Sequence, residues 1–199
     1  HDAAETARQI GFPVALKLVS SALPHKSDHG IVRLNLCDTD DIGGIAEDVL
    51  SLGSKALGRP VEDRILIEPM ADGLIAELLI GVQNDPQFGL VMTVAGGGTL
   101  VELMADAATV LLPAQPADLM EALSTLRVMS LLQGYRGCAK ADLDGLVDTL
   151  MKVNTMALDL AHTLIEMDIN PLWVTEHGSI AVDALIRVSD LNALPTAPN

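Results

Sequence analysis

The sequence predicts an α+β chain in two lobes, and three observations carry that expectation. A helix, a strand, a polar loop, a strand and a helix fill the first third; a Glu-Pro-Met break follows; the remainder mixes apolar strands with helices and closes on a β-hairpin, Met167 to Ile186. Gly and Pro punctuate each change between helical and extended spacing, which separates the elements.

The 199 residues suffice for one large domain or two small ones. Apolar residues make up 49 %, yet there are only two Phe, one Tyr and one Trp, so the core must be built from Leu, Ile, Val, Ala and Met. A net charge of −15 argues against nucleic acid and anionic membranes as partners. Any phosphate site must therefore be locally basic. No apolar run approaches the roughly 20 residues of a spanning helix, and no secretory pattern opens the chain, so it reads as soluble. Cys37 and Cys138 lie far apart without CxxC spacing and read as buried thiols of a reducing cytoplasm.

Asp2 to Ile10 reads as a helix stopped by Gly11 and Pro13. No capping residue or apolar staple stands out before it, which suggests that the natural polypeptide extends upstream. Phe12 to Val19 is a buried strand with a single charge, Lys17, which needs a carboxylate or an anion beside it. The loop Pro24 to Gly30, PHKSDHG, concentrates donors: backbone N–H groups, the Ser27 hydroxyl and an ammonium can cradle phosphate. His25 can act as a nucleophile toward phosphorus; the bland alternative is a solvated turn. Ile31 to Leu36 is a strand. Asp40 to Leu57 is a helix with apolar residues at Ile42, Ile45, Ala46, Val49 and Leu52, capped by Asp40 or Asp41. Arg64 to Met70 is a strand that ends at Pro69, which cannot donate to a ladder.

In the second lobe, Leu74 to Gln83 is a strand in which Glu77 sits among apolar neighbours and needs a partner. Gly89 to Ala95 is a strand running into Gly96-Gly97-Gly98, where missing Cβ atoms permit close backbone approach. No GK[ST] follows, so this is not a Walker loop. Leu100 to Met104 and Thr109 to Leu112 continue the extended pattern; Pro116 to Met129 is a helix with Pro in its first turn. Tyr135-Arg136-Gly137 is a short loop holding a buried Arg, and Leu143 to Ile165 is a long amphipathic helix.

The closing hairpin turns at Thr175, Glu176, His177 and Gly178, between two β-branched runs. A loop centred between Glu176 and His177 places Asn170 directly opposite Asp183, with Asp168 on the same face. Cross-strand Cβ atoms stand about 4.5–5.5 Å apart, so amide and carboxylate oxygens could share one Mg²⁺ whose other positions go to water and phosphate. A three-residue loop ending at Gly178 would slip the register and part the pair, leaving a polar edge hairpin.

With the segments GFPVALK, PHKSDHG, ILIEPM, GVQNDPQFG, AGGGTLVELMAD, YRG, DINPLWV and IAVDA in this order, residues 3 to 188 resemble the ATP-grasp domain of the nucleoside-diphosphate-forming acyl-CoA synthetases. That family includes ADP-forming acetyl-CoA synthetase and is related to the succinyl-CoA synthetase β-subunit. The resemblance implies the ATP-grasp fold: two α/β lobes with the nucleotide between them, the larger with a mixed or antiparallel sheet. The smaller lobe would span residues 1–66, the larger 67–188, and 189–199 would be a linker-like tail. ATP or ADP and Mg²⁺ are the implied ligands. Lys17 would hold the phosphates, Glu68 and Met70 would read adenine through a backbone carbonyl and N–H, and Glu77 would stand near the ribose. Gly97 and Gly98, with Glu102 and Asp106, match a family block beside the nucleotide. Asn170 and Asp183 match the Mg²⁺ ligands, and His25 the second, mobile phosphohistidine.

The implied reaction takes acid, CoA and ATP reversibly to acyl-CoA, ADP and phosphate. CoA-binding and ligase domains, or an α-subunit with the first phosphohistidine, would be the partners and would bind the small carboxylic acid and CoA. Where the family usually has two glycines this chain has Gly30-Ile31. That departure leaves room for a catalytically idle nucleotide-binding regulatory domain, such as those fused to lysine acetyltransferases; an interaction domain without nucleotide is a third reading.

Overall fold

Strand β1 (Val14–Val19) is buried along its first five residues, as befits the middle strand of a sheet. It runs antiparallel to both neighbours, β2 (Val32–Leu36) and β3 (Arg64–Pro69). Helices α1 (Ala3–Ile10) and α2 (Ile42–Leu57) join this sheet in one core, in which Ala7, Leu16, Leu18, Ala46 and Val49 are buried together. A Cβ at Gly53 would collide with Leu18, so a glycine in mid-helix lets α2 approach the sheet closely. The Asp41 side chain caps α2 by accepting from Gly44 N at 3.0 Å. Helix α1 is also capped, contrary to the sequence reading: Asp2 accepts from Ala4 N at 3.0 Å.

The computed structural model describes residues 2–20, 22–23, 30–61, 64–98 and 106–189. The chain divides into two compact units, His1–Ala71 and Asp72–Asn199. Strand β3 stays paired with β1 through Pro69, which carries the first unit past residue 66.

The second unit is built on a six-stranded sheet, antiparallel throughout, in the order β6-β5-β4-β7-β8. Its strands are β4 (Ala76–Asp85), β5 (Gly89–Gly96), β6 (Ala107–Leu111), β7 (Leu164–Thr175), β8 (Gly178–Ala181) and β9 (Ala184–Val188). Strand β7 pairs β8 with its last residues and β9 with its first, along one edge. Helices α3 (Pro116–Thr125), α4 (Met129–Leu132) and α5 (Leu143–Asp159) share a core with the sheet, where Leu119, Leu123, Leu146 and Leu150 meet Leu78, Ile80, Met92 and Met167. Each such fully buried side chain contributes about 1.5–3 kcal/mol. Buried Asn154 of α5 accepts from Ala114 N at 3.1 Å and ties that helix to the chain after β6.

Four further expectations are corrected. The last helix ends at Asp159, not Ile165: Leu160 and Ala161 pack on the core from a turn and Leu164 from β7, so one apolar stripe serves three kinds of backbone. The helix expected over 116–129 breaks where Leu126 becomes extended, and restarts at Met129. Arg136 is exposed, with its guanidinium 5.1 Å from the centroid of the Tyr135 ring. Both cysteines are exposed thiols rather than buried ones. The stretch Leu100 to Met104 lies outside the described residues. No helix among those described is long and apolar enough to cross a membrane.

Candidate functional site

In the first unit, Lys17 is 7 % exposed on β1, and water cannot stabilise its charge. Glu68 on β3 does so, with 2.6 Å between Nζ and Oε2. The carboxylate expected as the bland partner is therefore present, and it belongs to the hinge segment. That segment also shows which way its backbone faces. Met70 N donates to Pro13 O at 3.0 Å, continuing the pairing of Ala15 with Glu68 and Val14 with Pro69. Antiparallel strands turn alternate residues toward the partner, so the backbone groups of Glu68 and Met70 face β1. Pro69 C=O and Ala71 N–H turn away from it.

In the second unit, the hairpin loop is Glu176-His177, since Thr175 pairs with Gly178, Trp173 with Ile180 and Leu172 with Ala181. The Thr175 hydroxyl donates to Gly178 O at 3.0 Å and accepts from His177 N at 3.1 Å, which pins the turn. The register continues through the gap between β8 and β9: Asn170 N donates to Asp183 O at 3.1 Å and Val182 N to Pro171 O at 3.0 Å. Asn170 and Asp183 thus face one another as the hairpin reading required. Strand β7 bulges here, because Leu78 pairs with Leu172 but Ile80 with Ile169, setting both Asn170 and Pro171 against Leu79. Bulges re-aim side chains and are common beside functional sites. Asp183 Oδ1 also accepts from Ala184 N at 3.1 Å. Asp168, paired with Gly81 and Leu185, is half-buried in the same strand.

An amide and a carboxylate on residues directly opposite in the ladder are the donor types a hard divalent cation takes. Among the described residues no group of three or more His, Cys, Asp and Glu is placed to hold a metal alone. Two protein oxygens with the remaining positions left to phosphate and water match Mg²⁺ better than a full protein cage does.

Glu77 on β4 and the glycines after β5 come together. Gly97 N donates to Glu77 O at 2.6 Å, and a Cβ on Gly97 would lie 2.7 Å from Glu77 C, so only glycine fits. Gly98, at φ +90°, lies over the Glu77 carboxylate. Among the described residues that carboxylate makes no hydrogen bond or ion pair, so the specific partner expected for it is not among them. Trp173 stands opposite Glu77 on β7, its indole Nε1 buried without a hydrogen-bond partner among the described residues.

Sequence reasoning named Asp106 only as part of a family block, without its role, and missed Trp173. Asp106 accepts from Arg127 N at 2.7 Å and Val128 N at 3.0 Å, while Gly96 N donates to Asp106 O at 2.9 Å. It anchors the strand after the Gly-rich segment to the turn between α3 and α4. Trp173 could have been found by counting along the hairpin from Asn170; nothing local marks Asp106, whose partners are more than twenty residues away. His25, Ser27 and Glu102 lie outside the described residues.

Comparison with known proteins shows the family. The ATP-grasp domain family matches residues 1–188. The chain is similar to the β-subunit of ADP-forming acetate–CoA ligase II of Pyrococcus furiosus, at 34 % identity over 187 residues, 93 % of this chain and 79 % of that one. Against ADP-forming acetate–CoA ligase I of Archaeoglobus fulgidus it is 36 % identical over 185 residues, covering 92 % of this chain but 26 % of the longer relative. A solved structure of the dinucleotide-forming acetyl-coenzyme A synthetase 1 of Candidatus Korarchaeum cryptofilum superposes with a TM-score of 0.79 at 30 % identity, over 94 % of this chain and 82 % of that one. That relative holds coenzyme A and Mg-AMPPCP, with its phosphohistidine segment pointing towards the nucleotide-binding site.

Proposed function

The chain belongs to the ATP-grasp domain family of the ADP-forming acyl-CoA synthetases, and from that membership we propose that it binds Mg·ATP and exchanges the γ-phosphoryl group with His25. The observation that carries the reading is the Asn170–Asp183 rung, two residues with oxygen-bearing side chains paired directly across the ladder beside a bulge. Lys17 would turn from Glu68 toward phosphate oxygens. The uncommitted Glu77 carboxylate would accept from ribose hydroxyls, and Gly97 and Gly98 would let the backbone come close. The resemblance assigns adenine to Glu68 and Met70. Because those residues turn their backbone groups to β1, we place adenine recognition at the neighbouring Pro69 C=O and Ala71 N–H.

Mg²⁺ on Asn170 and Asp183 would offset phosphate charge. In the transfer, an imidazole nitrogen of His25 bonds to the γ-phosphorus as the bond to the bridging oxygen breaks and ADP leaves; the imidazole proton passes to solvent. Ser27 would donate to the phosphate. Positioning and charge carry such reactions. The complete ligase would join acid, CoA and ATP to give acyl-CoA, ADP and phosphate. CoA-binding and ligase domains, or an α-subunit with the first phosphohistidine, would bind the acid and CoA.

The idle regulatory alternative drew on Gly30-Ile31. The Ile31 side chain is fully buried in the first unit's core, so this residue has a packing role that does not require lost catalysis. Incubating the complete enzyme with γ-labelled ATP tests the reading. Label on His25, lost in His25→Ala with nucleotide binding retained, is expected. Binding without label would make the chain a nucleotide sensor, and neither would leave a scaffold.

A further inference from the structure

The Tyr135–Gly137 turn is a motif that phosphoryl transfer leaves without a task. Arg136 adopts φ 52° and ψ 35°, a left-handed backbone that L-residues take at a cost, between Gly134 at φ 90° and Gly137 at φ 84°. A glycine would sit there without strain. The sequence instead keeps an exposed arginine, stacked 5.1 Å over a tyrosine that is itself 49 % exposed. The surrounding charge is equally unusual. From residue 122 to residue 141 there is no Asp or Glu in a chain of net charge −15, while Arg127, Arg136 and Lys140 all fall in that stretch. None of the three is ion-paired among the described residues. The Lys140 stem lies against Gly134, where an added Cβ would be 2.9 Å from its Cγ, so this side chain starts out beside the turn.

A guanidinium held over a ring is kept from swinging freely and still offers its donor fork to a carboxylate. Tyr and Arg are also the residue types that dominate protein–protein hot spots. We propose that Tyr135, Arg136 and Lys140 form a docking point for a carboxylate-bearing protein surface, that of the CoA-binding part of the ligase. The choice of occupant rests on the functional reading above. A small cationic island on an acidic protein suits one or two partner carboxylates, whereas nucleic acid or an anionic membrane would meet the repulsion of the whole chain.

The test treats the complete ligase, fused or two-subunit, with a zero-length carbodiimide, which joins an amine to a carboxylate only when the two touch. We expect Lys140 to be joined to an Asp or Glu of the CoA-binding part. The yield should fall about tenfold in Arg136→Glu and Arg136→Gly, the loss of a hot-spot contact. Arg136→Gly should leave the melting temperature unchanged or raised, because glycine accepts this φ, so its lost cross-link cannot be charged to unfolding. A Lys140 that never reaches the CoA-binding part, or an unchanged yield in both variants, overturns the proposal. So does a cross-link that inorganic phosphate suppresses in the wild type, which would make the turn a free-anion site. ATP binding is measured separately, and its absence would count against the nucleotide function while leaving the cross-link readable.

Discussion

Between β1 and β3 a buried lysine and a carboxylate neutralise one another at 2.6 Å, whereas at the gap between β8 and β9 two oxygen-bearing side chains, Asn170 and Asp183, share one rung. The first arrangement is already compensated in charge, and a phosphate that engages Lys17 would compete with Glu68 for its ammonium. The second gathers donors of one kind and gains from a cation. On the proposed function, the fold would prepare for Mg·ATP in two ways, by holding a surrogate ligand and by holding an incomplete coordination shell. Each way fails differently when one residue is removed.

The largest effect is expected at the compensated pair. Lys17→Met should lower ATP affinity about a hundredfold, the upper range for a charge-assisted bond of ~3 kcal/mol. Glu68 is 37 % exposed and can recover water, so the stability cost should fall below the ~3–5 kcal/mol of a fully buried pair. Calorimetric titration beside a urea melt separates the two. Full affinity in a destabilised variant would make Lys17 a structural residue.

Next comes the anchor beside the Gly-rich segment of the second unit. Asp106→Ala strips the acceptor from Arg127 N and Val128 N and should cost about 2 kcal/mol. Hydrogen exchange should quicken in β5, β6 and α3 but not in α1 or α2, since the two units have separate cores. Uniform quickening would dissolve the contrast between units.

Asp183→Ala should weaken Mg·ATP about tenfold (~1.4 kcal/mol) and leave metal-free ATP unchanged. Equal losses with and without metal would assign Asp183 to folding. The smallest effect sharpens the comparison from the other side. Glu68→Gln removes the competitor for Lys17 and should tighten ATP about threefold at low salt, the scale of a partly exposed charge. Weaker binding would mean that Glu68 positions the lysine rather than occupying it.

The legible parts of this molecule are those determined locally. The turn at Glu176-His177 sets the hairpin register, so Asn170 could be matched to Asp183 by counting. A lysine among Val14, Leu16 and Leu18 could be read as buried and in need of an anion. That its partner is Glu68 could not, because the pairing of β1 with β3 is long-range. The phase of that ladder also decides which hinge groups face β1, which is why we propose adenine recognition one residue away from the positions named by resemblance. The helix carried past Asp159 failed for another reason: Leu160, Ala161 and Leu164 keep a helical spacing while the backbone turns into β7.

Trp173 gives the chain a property that has nothing to do with chemistry. It is the sole tryptophan, it faces Glu77 across the β4–β7 ladder, and its indole nitrogen is buried without a partner among the described residues. Indole emission shifts with the polarity and hydrogen bonding of its surroundings. A ligand settling against Glu77 would therefore change the colour of the light from a single, known position, with no background from other tryptophans. The protein carries its own optical gauge of occupancy, fixed in a strand that the hairpin turn holds in register.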